Sequence, residues 1–548
     1  MYFYSVLIFF IIYEFRYVKG YTVKKIRHLG DTVYFSLATS SEAHEVIKLL
    51  NGFNIKGRII TAKIAPYDVK LSLNKNPSKI RSAKEIVTPL GDCEYDKQLE
   101  LKMQAVSRVV KKLIKELDKA NIAEARKLSV SKLVEPIRPS PVVKCYRNKC
   151  EFTVGRTINK DICVGFVGGR FALNEHHVIP IDTCDNISSH MKRIVKTFEE
   201  FIIGTGEPPF DESERKGCWR MLTVREFAGD VMLIVTVYPL EDLEKEILLK
   251  NLFIAQFLRP ENFIEPTRKF RVTSLYWQRL INASDAAQYE HIGGTPYIYE
   301  TILNIQFRVS PAAFFQTNSS CAAVLYSLIV EKCGFINSDI LAKYVVSEEE
   351  LCSENDAMKQ PDEKKRKIVS TLKSDQALFN TLLLDICCGT GTIGICVLKL
   401  LKCRGKRYLI GIECVHDAVE DARSNAIANG FDGDEFQFIT GKAEVILPNI
   451  KQYIPASFNL SSSKVIGILD PPRAGVPVKV IQGCRKLSDL CRLIYVSCNP
   501  SLVKKNLVDL CRPTSKKYEG KPFCIKSITP VDMFPKTSHC ECVIYLER

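Results

Sequence analysis

The sequence predicts an α/β protein whose carboxyl-terminal part is a doubly wound parallel sheet, preceded by a mixed α+β domain. Three observations support this prediction. Apolar and helical segments alternate from residue 381 onward, a glycine-rich turn follows the first apolar segment, and acidic residues stand where later apolar segments end. Alternating strands and helices build parallel sheets, and such sheets bind ligands beyond the carboxyl ends of their strands. We therefore expect a ligand site at that edge.

The predicted elements of this part follow one another in a regular order. We expect strands over residues 381–386, 408–412, 436–440, 465–469, 493–496 and 542–546, and helices over 392–401 and 416–429. The pattern is typical of a Rossmann-like domain, to which we assign residues 311–548. A highly charged segment, 346–374, interrupts the pattern, and we expect a mobile surface insertion there.

Residues 1–70 contain a shorter α/β pattern, with predicted strands over 32–38 and 58–64 and a helix over 41–50 with Ser41 as its N-cap. This order resembles the second half of an RNA-recognition motif, so we predict a partial RRM-like module. Tyr34 occupies one of the two stacking positions of such a motif, and Thr32 occupies the other. Base stacking, protein docking and a purely structural role all remain open.

Between this module and residue 310 the pattern changes twice. Residues 71–140 are a predicted linker with an amphipathic helix over 95–127, which has a basic outer face. The helix suits either a solvated bridge or an RNA backbone contact. Residues 141–310 are a predicted α+β central RNA-binding domain, with strands and with helices near 185–203 and 280–290.

Composition limits the classes of partner and compartment. The chain has 77 basic and 62 acidic residues among 548, and the difference of +15 favours a polyanionic partner, although a merely basic protein remains possible. Its 21 cysteines are scattered without a Cys-x-x-Cys pair, which favours the cytosol or the nucleus and predicts no metal site. The apolar run at residues 1–13 is too short to span a bilayer, so we expect no membrane partner.

The turn after the first strand of the sheet is a candidate cofactor pocket. Glycines at 389 and 391 let the backbone turn tightly and approach a ligand, but Gly394 leaves a dinucleotide as an alternative to S-adenosylmethionine. Glu413 ends the second strand and can accept both hydroxyls of a ribose. Asp470 begins a rigid Asp-Pro-Pro-Arg turn, which a dehydrogenase does not need, so the turn favours S-adenosylmethionine.

Cys498 and Glu541 form a candidate reacting pair. Carbon 5 of a pyrimidine is too weak a nucleophile to accept a methyl group unaided, but a thiolate that adds to carbon 6 makes it reactive. A base must then remove the carbon 5 proton so that the cysteine can leave. Cys498 follows a predicted strand next to the Asp470 turn, and Glu541 precedes the last strand. By composition alone, Cys498 could instead be a buried residue that packs like a small apolar side chain. Glu541 could be a solvent-exposed glutamate at the edge of the sheet.

These motifs resemble those of the S-adenosylmethionine-dependent RNA 5-methyluridine methyltransferases. The resemblance covers about residues 140–548 and comprises ordered motifs at 310–318, 385–391, 411–413, 470–475, 495–500 and 532–541. It implies that Cys498 is the nucleophile and Glu541 the proton-abstracting base. The implied contacts to S-adenosyl-L-methionine come from Gln316, Cys387, Gly389, Gly391, Thr392, Glu413 and Asp470. Cys387 and Thr392 depart from the residues of bacterial members.

The RRM-like module before the catalytic part is similar to that of the animal tRNA uracil-5-methyltransferases, which act on the T-loop uridine at position 54. The resemblance implies a tRNA partner, and we expect a monomer. Two alternatives remain open. One is a cytosine-5 RNA methyltransferase, although residues 470–475 lack a second cysteine. The other is a tRNA-binding chaperone whose methylation is dispensable.

Overall fold

The computed structural model describes residues 24–29, 32–37, 39–55, 58–64, 82–168, 177–212, 214–227, 229–258, 271–282, 285, 288–334, 380–401, 405–456, 458–460 and 463–548. The predicted insertion at 346–374 and the apolar run at 1–13 lie outside these residues. The described residues belong to two units, one up to residue 64 and the other from residue 82 onward.

Within its described residues, the first unit contains one helix and four short strands. Strands β1 (Lys24–Leu29) and β2 (Thr32–Ser36) form one antiparallel pair, helix α1 (Ser40–Leu50) follows, and β3 (Asn54–Ile55) and β4 (Arg58–Ile59) form a second pair. The predicted helix is confirmed, but its N-cap is Thr39, whose hydroxyl accepts from the Glu42 amide at 3.2 Å. The strand predicted over 58–64 is shorter in the structure, because β4 covers only Arg58–Ile59. The side chains of Thr32 and Tyr34 are outside the described part, and the RRM-like character stays a prediction.

The second unit begins with a helical segment, most of which packs on the carboxyl-terminal sheet. The elements of this segment are α2 (Ala83–Val87), α3 (Tyr95–Lys119), a 3-10 turn (Ala123–Lys127) and α4 (Val130–Leu133). The predicted amphipathic helix is thus α3, and it ends before residue 127 because Asn121 has a φ of 56°, which a helix does not allow. Val106, Val110, Leu113 and Leu117 are buried in a core shared with the sheet. Helix α3 therefore packs on the protein through its apolar face, and solvation and RNA contact of its basic outer face both stay predictions.

The central domain is built on a seven-stranded sheet of order β11-β10-β9-β8-β5-β6-β7, followed by a β12–β13 hairpin. Its elements are β5 (Lys149–Arg156), β6 (Ile162–Gly168), β7 (His177–Ile179), α5 (Ser189–Thr205), β8 (Trp219–Phe227), β9 (Asp230–Val237), α6 (Leu243–Phe257), β10 (Arg271–Arg279), β11 (Tyr289–Gly294), β12 (Ile298–Ile302) and β13 (Ile305–Val309). The helix predicted near 185–203 is confirmed as α5.

The helix predicted near 280–290 is wrong. Tyr289 begins strand β11, which pairs antiparallel with β10, so pairing along the sheet edge overrides the local helical pattern. Helix α6 was not predicted because apolar residues occur on several of its sides. Leu249, Phe253 and Phe257 are buried, whereas Leu248 and Leu252 are exposed.

The catalytic part contains a second seven-stranded sheet, of order β16-β15-β14-β17-β18-β20-β19. Its elements are α7 (Ser319–Cys333), β14 (Asn380–Ile386), α8 (Thr392–Leu400), β15 (Arg407–Glu413), α9 (His416–Ala428), β16 (Phe436–Thr440), α10 (Ala443–Ile446), β17 (Ser463–Leu469), α11 (Val478–Lys486), β18 (Leu490–Ser497), α12 (Lys504–Cys511), β19 (Cys524–Val531) and β20 (Glu541–Glu547).

Strands β14 to β18 of this sheet are parallel, and β20 inserts antiparallel between β18 and β19. Their middle residues are almost all apolar and buried, as expected when helices cover both faces. The predicted fold class is confirmed. Because β20 is antiparallel, its first residue lies at the edge where β18 ends, and Cys542 is the register partner of Ser497. No described helix combines the length and the apolar character needed to cross a membrane.

Candidate active site

The glycine turn connects β14 to α8 at the carboxyl edge of the sheet. Cys387, Gly389 and Gly391 have φ values of 64°, 53° and 77°, so three residues of the turn are left-handed. This conformation is natural for glycine and strained for a cysteine. A Cβ added at Gly389 would meet nothing within 4 Å, whereas one at Gly391 would meet Phe438 at 3.0 Å. Gly389 therefore borders open space, where a ligand can approach the backbone.

Acidic side chains surround this turn. Glu413 Oε2 accepts from the Gly389 amide at 3.1 Å, and its Oε1 accepts from the amides of Cys414 and Val415 at 2.7 and 3.0 Å. Asp385 Oδ2 accepts from the Gly394 amide at 2.8 Å, but none of the described residues donates to Oδ1. Burial raises the pKa of Asp385 to about 7. Asp385 therefore keeps one acceptor oxygen without a described donor, and a cationic ligand would stabilise its ionised form.

Two further residues of the candidate pocket are fixed by neighbouring elements. Gln316 is buried, and its main-chain oxygen accepts from Asn148 Nδ2 at 3.0 Å. Thr392 begins α8, and its hydroxyl lies 3.2 Å from the Tyr326 hydroxyl. The open space at Gly389, the unpaired buried oxygen of Asp385 and the surrounding negative charge together fit the sulfonium and ribose of S-adenosylmethionine.

The structure brings Cys498, Glu541 and Asp470 together at the carboxyl edge of the sheet. Burial raises the pKa of the Cys498 thiol, and the charges of Glu541 and Asp470 raise it further. Glu541 is only 4% exposed, and its burial next to Asp470 and Cys540 holds its pKa well above that of an ordinary carboxyl group. Burial also raises the pKa of Asp470. The Cys498 thiol and the carboxyl groups of Glu541 and Asp470 therefore share one small region.

Arg473 is the cation that faces this group, and the sequence reasoning did not give it a role. It lowers the pKa of Cys498 by its charge and by a hydrogen bond to the sulfur, and it also lowers the pKa of Glu541. The Arg473 side chain is exposed to solvent. Its place in the Asp-Pro-Pro-Arg turn was the available signal, since a rigid turn that carries Asp470 to the site also carries its neighbours.

The turn before Glu541 is held by helix α3. Lys102 and Asp532 form a fully buried ion pair, and Lys102 Nζ also donates to the Phe534 carbonyl at 2.9 Å. On the preceding turn of α3, Gln98 Oε1 accepts from the Lys536 amide at 2.7 Å. Lys102 and Gln98 are each more than 400 positions before their partners in this turn. Helix α3 therefore contributes directly to the placement of the turn, which no local pattern indicates.

Other elements hold the same turn from further directions. The Tyr146 hydroxyl donates to the Pro535 carbonyl at 2.9 Å, and Asn318 Nδ2 donates to the Met533 carbonyl at 3.2 Å. Lys536 forms an ion pair with Asp185. The central domain and α7 thus join α3 in fixing the backbone that leads to the carboxylate. A base held in this way needs little reorganisation before it acts.

No cluster of metal-ligating side chains occurs among the residues that the structure describes. The fold and the site define a methyltransferase that uses S-adenosylmethionine: a parallel sheet, a glycine turn beside open space, and an acid at the end of the second strand. A family model described as tRNA (Uracil-5-)-methyltransferase matches residues 348–548.

Relatives and a solved structure agree with this class. A mouse protein named tRNA (uracil-5-)-methyltransferase homolog A is 33% identical over 558 residues, which cover 96% of this chain and 80% of the relative. The human tRNA (uracil-5-)-methyltransferase homolog B is 31% identical over a region that covers 85% of this chain and 83% of the relative. The Pyrococcus abyssi tRNA (uracil-54, C5)-methyltransferase in complex with S-adenosyl-L-homocysteine gives a TM-score of 0.52 at 19% identity, with 96% and 92% covered, and so shares the fold. The chain belongs to the tRNA (uracil-5-)-methyltransferase family.

Proposed function

We propose that this enzyme methylates carbon 5 of the T-loop uridine at position 54 of tRNA through a covalent adduct between Cys498 and carbon 6. The observation that carries the proposal is the convergence of Cys498, Glu541, Asp470 and Arg473 beside the glycine turn. The family membership supports a tRNA substrate. We further propose a monomer that acts in the cytosol or the nucleus, where free cysteines are stable.

Covalent addition is the first role of the chain. A uridine inside a stacked loop is out of reach, so the base must be flipped out at a cost of about a few kcal/mol. Cys498 Sγ then bonds to carbon 6, and the electron pair of the 5,6 double bond moves toward carbon 5 and oxygen 4. Because burial and Glu541 raise the thiol pKa, the sulfur needs Arg473 nearby to favour its thiolate.

Glu541 completes the reaction after carbon 5 has gained its methyl group. Its carboxylate takes the carbon 5 proton, the 5,6 double bond re-forms, and the bond between carbon 6 and sulfur breaks to return the thiolate. A carboxylate with a raised pKa is a stronger base than an exposed one once it is ionised. The turn fixed by Lys102 and Gln98 holds it in place.

The cofactor site is formed by this chain's turn and acids. The turn from Cys387 to Thr392, with Glu413, Asp470 and Gln316, would hold S-adenosylmethionine. When bound, this cofactor supplies an electrophilic methyl group on a sulfonium. The ionised acids of the pocket favour a positively charged ligand, and the amide bonds to Glu413 keep that carboxylate directed at the turn.

The proposal is tested with purified protein, S-adenosylmethionine and a tRNA transcript that carries tritium at carbon 5 of uridine. We expect release of one tritium for each 5-methyluridine formed, and mapping should place the methyl group at position 54. A transcript with cytidine at position 54 is the matched control. Absence of release, formation of 5-methylcytidine, or equal release from both transcripts would contradict the proposal.

Replacement of Lys102 by Met should lower kcat by about 10- to 100-fold with little change in KM for tRNA or cofactor. The variant leaves Asp532 unpaired and loosens the turn before Glu541, so it affects proton abstraction and not substrate binding. Steady-state tritium release at a temperature where circular dichroism shows a folded protein is the measurement. Lys97→Met is the control, because Lys97 lies on the same helix in an exposed pair. A rise in KM alone would count against this positioning role.

A further inference from the structure

The outer face of α3 carries a row of cations that the proposed mechanism does not use. Arg108, Lys111, Lys112, Lys115 and Lys119 are exposed, and we call them the basic row. At 3.6 residues per turn, their spacing places all of them on one face. The apolar residues that anchor α3 in the core occupy the opposite face. The row therefore points away from the protein along its whole length.

The positive charge of the basic row is not neutralised by its own helix. The same stretch contains two acidic residues, but Glu116 pairs with Lys504 at 3.0 Å and Asp118 with Arg126 at 3.6 Å. None of the ion pairs within the described ranges includes a member of the row. A solvated helix is usually stabilised by pairs of opposite charge three or four residues apart. No member of the row makes such a pair among the described residues, and the row presents a single sign of charge.

The row lies on a helix that is attached to the segments of both reacting groups. Lys102 contacts the turn that leads to Glu541, and Glu116 contacts Lys504, which begins the helix after Cys498. The row is therefore carried by an element that is fixed to both of these segments.

We propose that the basic row binds the sugar–phosphate backbone of the tRNA outside the flipped uridine, an inference that rests on the proposed function. The row extends for about 17 Å at 1.5 Å per residue, which is enough to follow several phosphates. Four of the five members of the row are lysines, which act as flexible point charges toward phosphates. The row therefore supplies affinity and register, not sequence selection.

The test compares two triple variants of equal charge. Lys111, Lys112 and Lys115 are changed to Gln in the row variant. Lys516, Lys517 and Lys521 are changed to Gln in the control. The control lysines are exposed, and they follow the end of α12 at Cys511, which is the opposite edge of the sheet from Cys498. Binding of full-length tRNA is measured by filter retention at several salt concentrations, and kcat is measured at saturating tRNA.

The row variant should bind tRNA about 10- to 100-fold more weakly at 0.1 M salt. The slope of its log affinity against log salt concentration should be smaller in magnitude by about 2 to 3. Its kcat should not change, and the control should bind like the wild type. Unchanged affinity of the row variant, as expected if the row faces an acidic protein, would overturn the inference. So would equal losses in both variants. A wild type that binds tRNA but does not methylate it would reject the proposed function and leave this comparison valid.

Discussion

Cys498→Ala should abolish tritium release from carbon 5 of uridine, with a loss of about 10⁴-fold or more. Without sulfur at carbon 6, carbon 5 never becomes electron-rich, so neither methyl transfer nor proton loss can follow. The effect should fall on kcat, because the thiol is half-buried at the end of β18 and its removal leaves the tRNA-binding surfaces intact. Tritium release under single-turnover conditions is the measurement.

Cys491→Ala is the matched control for this prediction. Cys491 lies on the same strand, is partly exposed, and its thiol donates to the Val465 carbonyl at 3.4 Å away from the glycine turn. It should retain wild-type activity. Full activity of Cys498→Ala would reject the nucleophile assignment. If the wild type accelerates tRNA refolding and both alanine variants accelerate it equally, the protein also has a chaperone function that does not depend on the thiol.

The reason that much of this site could be predicted from sequence lies in parallel-sheet geometry. Glu413 ends one strand of the sheet, Asp470 and Cys498 each follow another, and the carboxyl ends of parallel strands meet at one edge. Once the strands are predicted, it follows that these three side chains lie near one another. Glu541 is different, because it begins a strand and reaches the edge only through the antiparallel pairing of β20. The family resemblance, and not the strand pattern, indicated it.

The residues that sequence reasoning missed depend on contacts between distant segments. Lys102 lies on the apolar face of α3, four residues before Val106, so helical periodicity separates it from the basic row but does not indicate its ion-pair partner. It is buried because Asp532 meets it from a turn 430 residues later in the chain. Arg473 was passed over for another reason: its function follows from the thiol and carboxylate that it faces, and not from its own motif. Both roles are properties of tertiary structure.

Glu541→Gln should stop the reaction at the methylated adduct, in which Cys498 remains bonded to carbon 6. Gln preserves the shape of the side chain but cannot accept the carbon 5 proton, so the bond to sulfur cannot break. The carboxylate that it replaces is buried in the site and raises the pKa of the Cys498 thiol, so its loss does not hinder addition and favours the thiolate. Denaturing gels should therefore show a protein–RNA complex that requires S-adenosylmethionine, while multiple-turnover tritium release falls by about 10²- to 10⁴-fold.

Two further variants separate this block from a general loss of structure. Glu547→Gln alters a partly exposed carboxylate that pairs with Arg492 at the other end of β20, and it should leave turnover unchanged. The double variant Cys498→Ala with Glu541→Gln should form no complex, because the covalent bond that is trapped in the single variant needs the sulfur. If Glu541→Gln instead turns over freely, another group removes the proton. Asp470 would then be the first candidate, since it is the acid that acts on both Cys498 and Glu541 in this site.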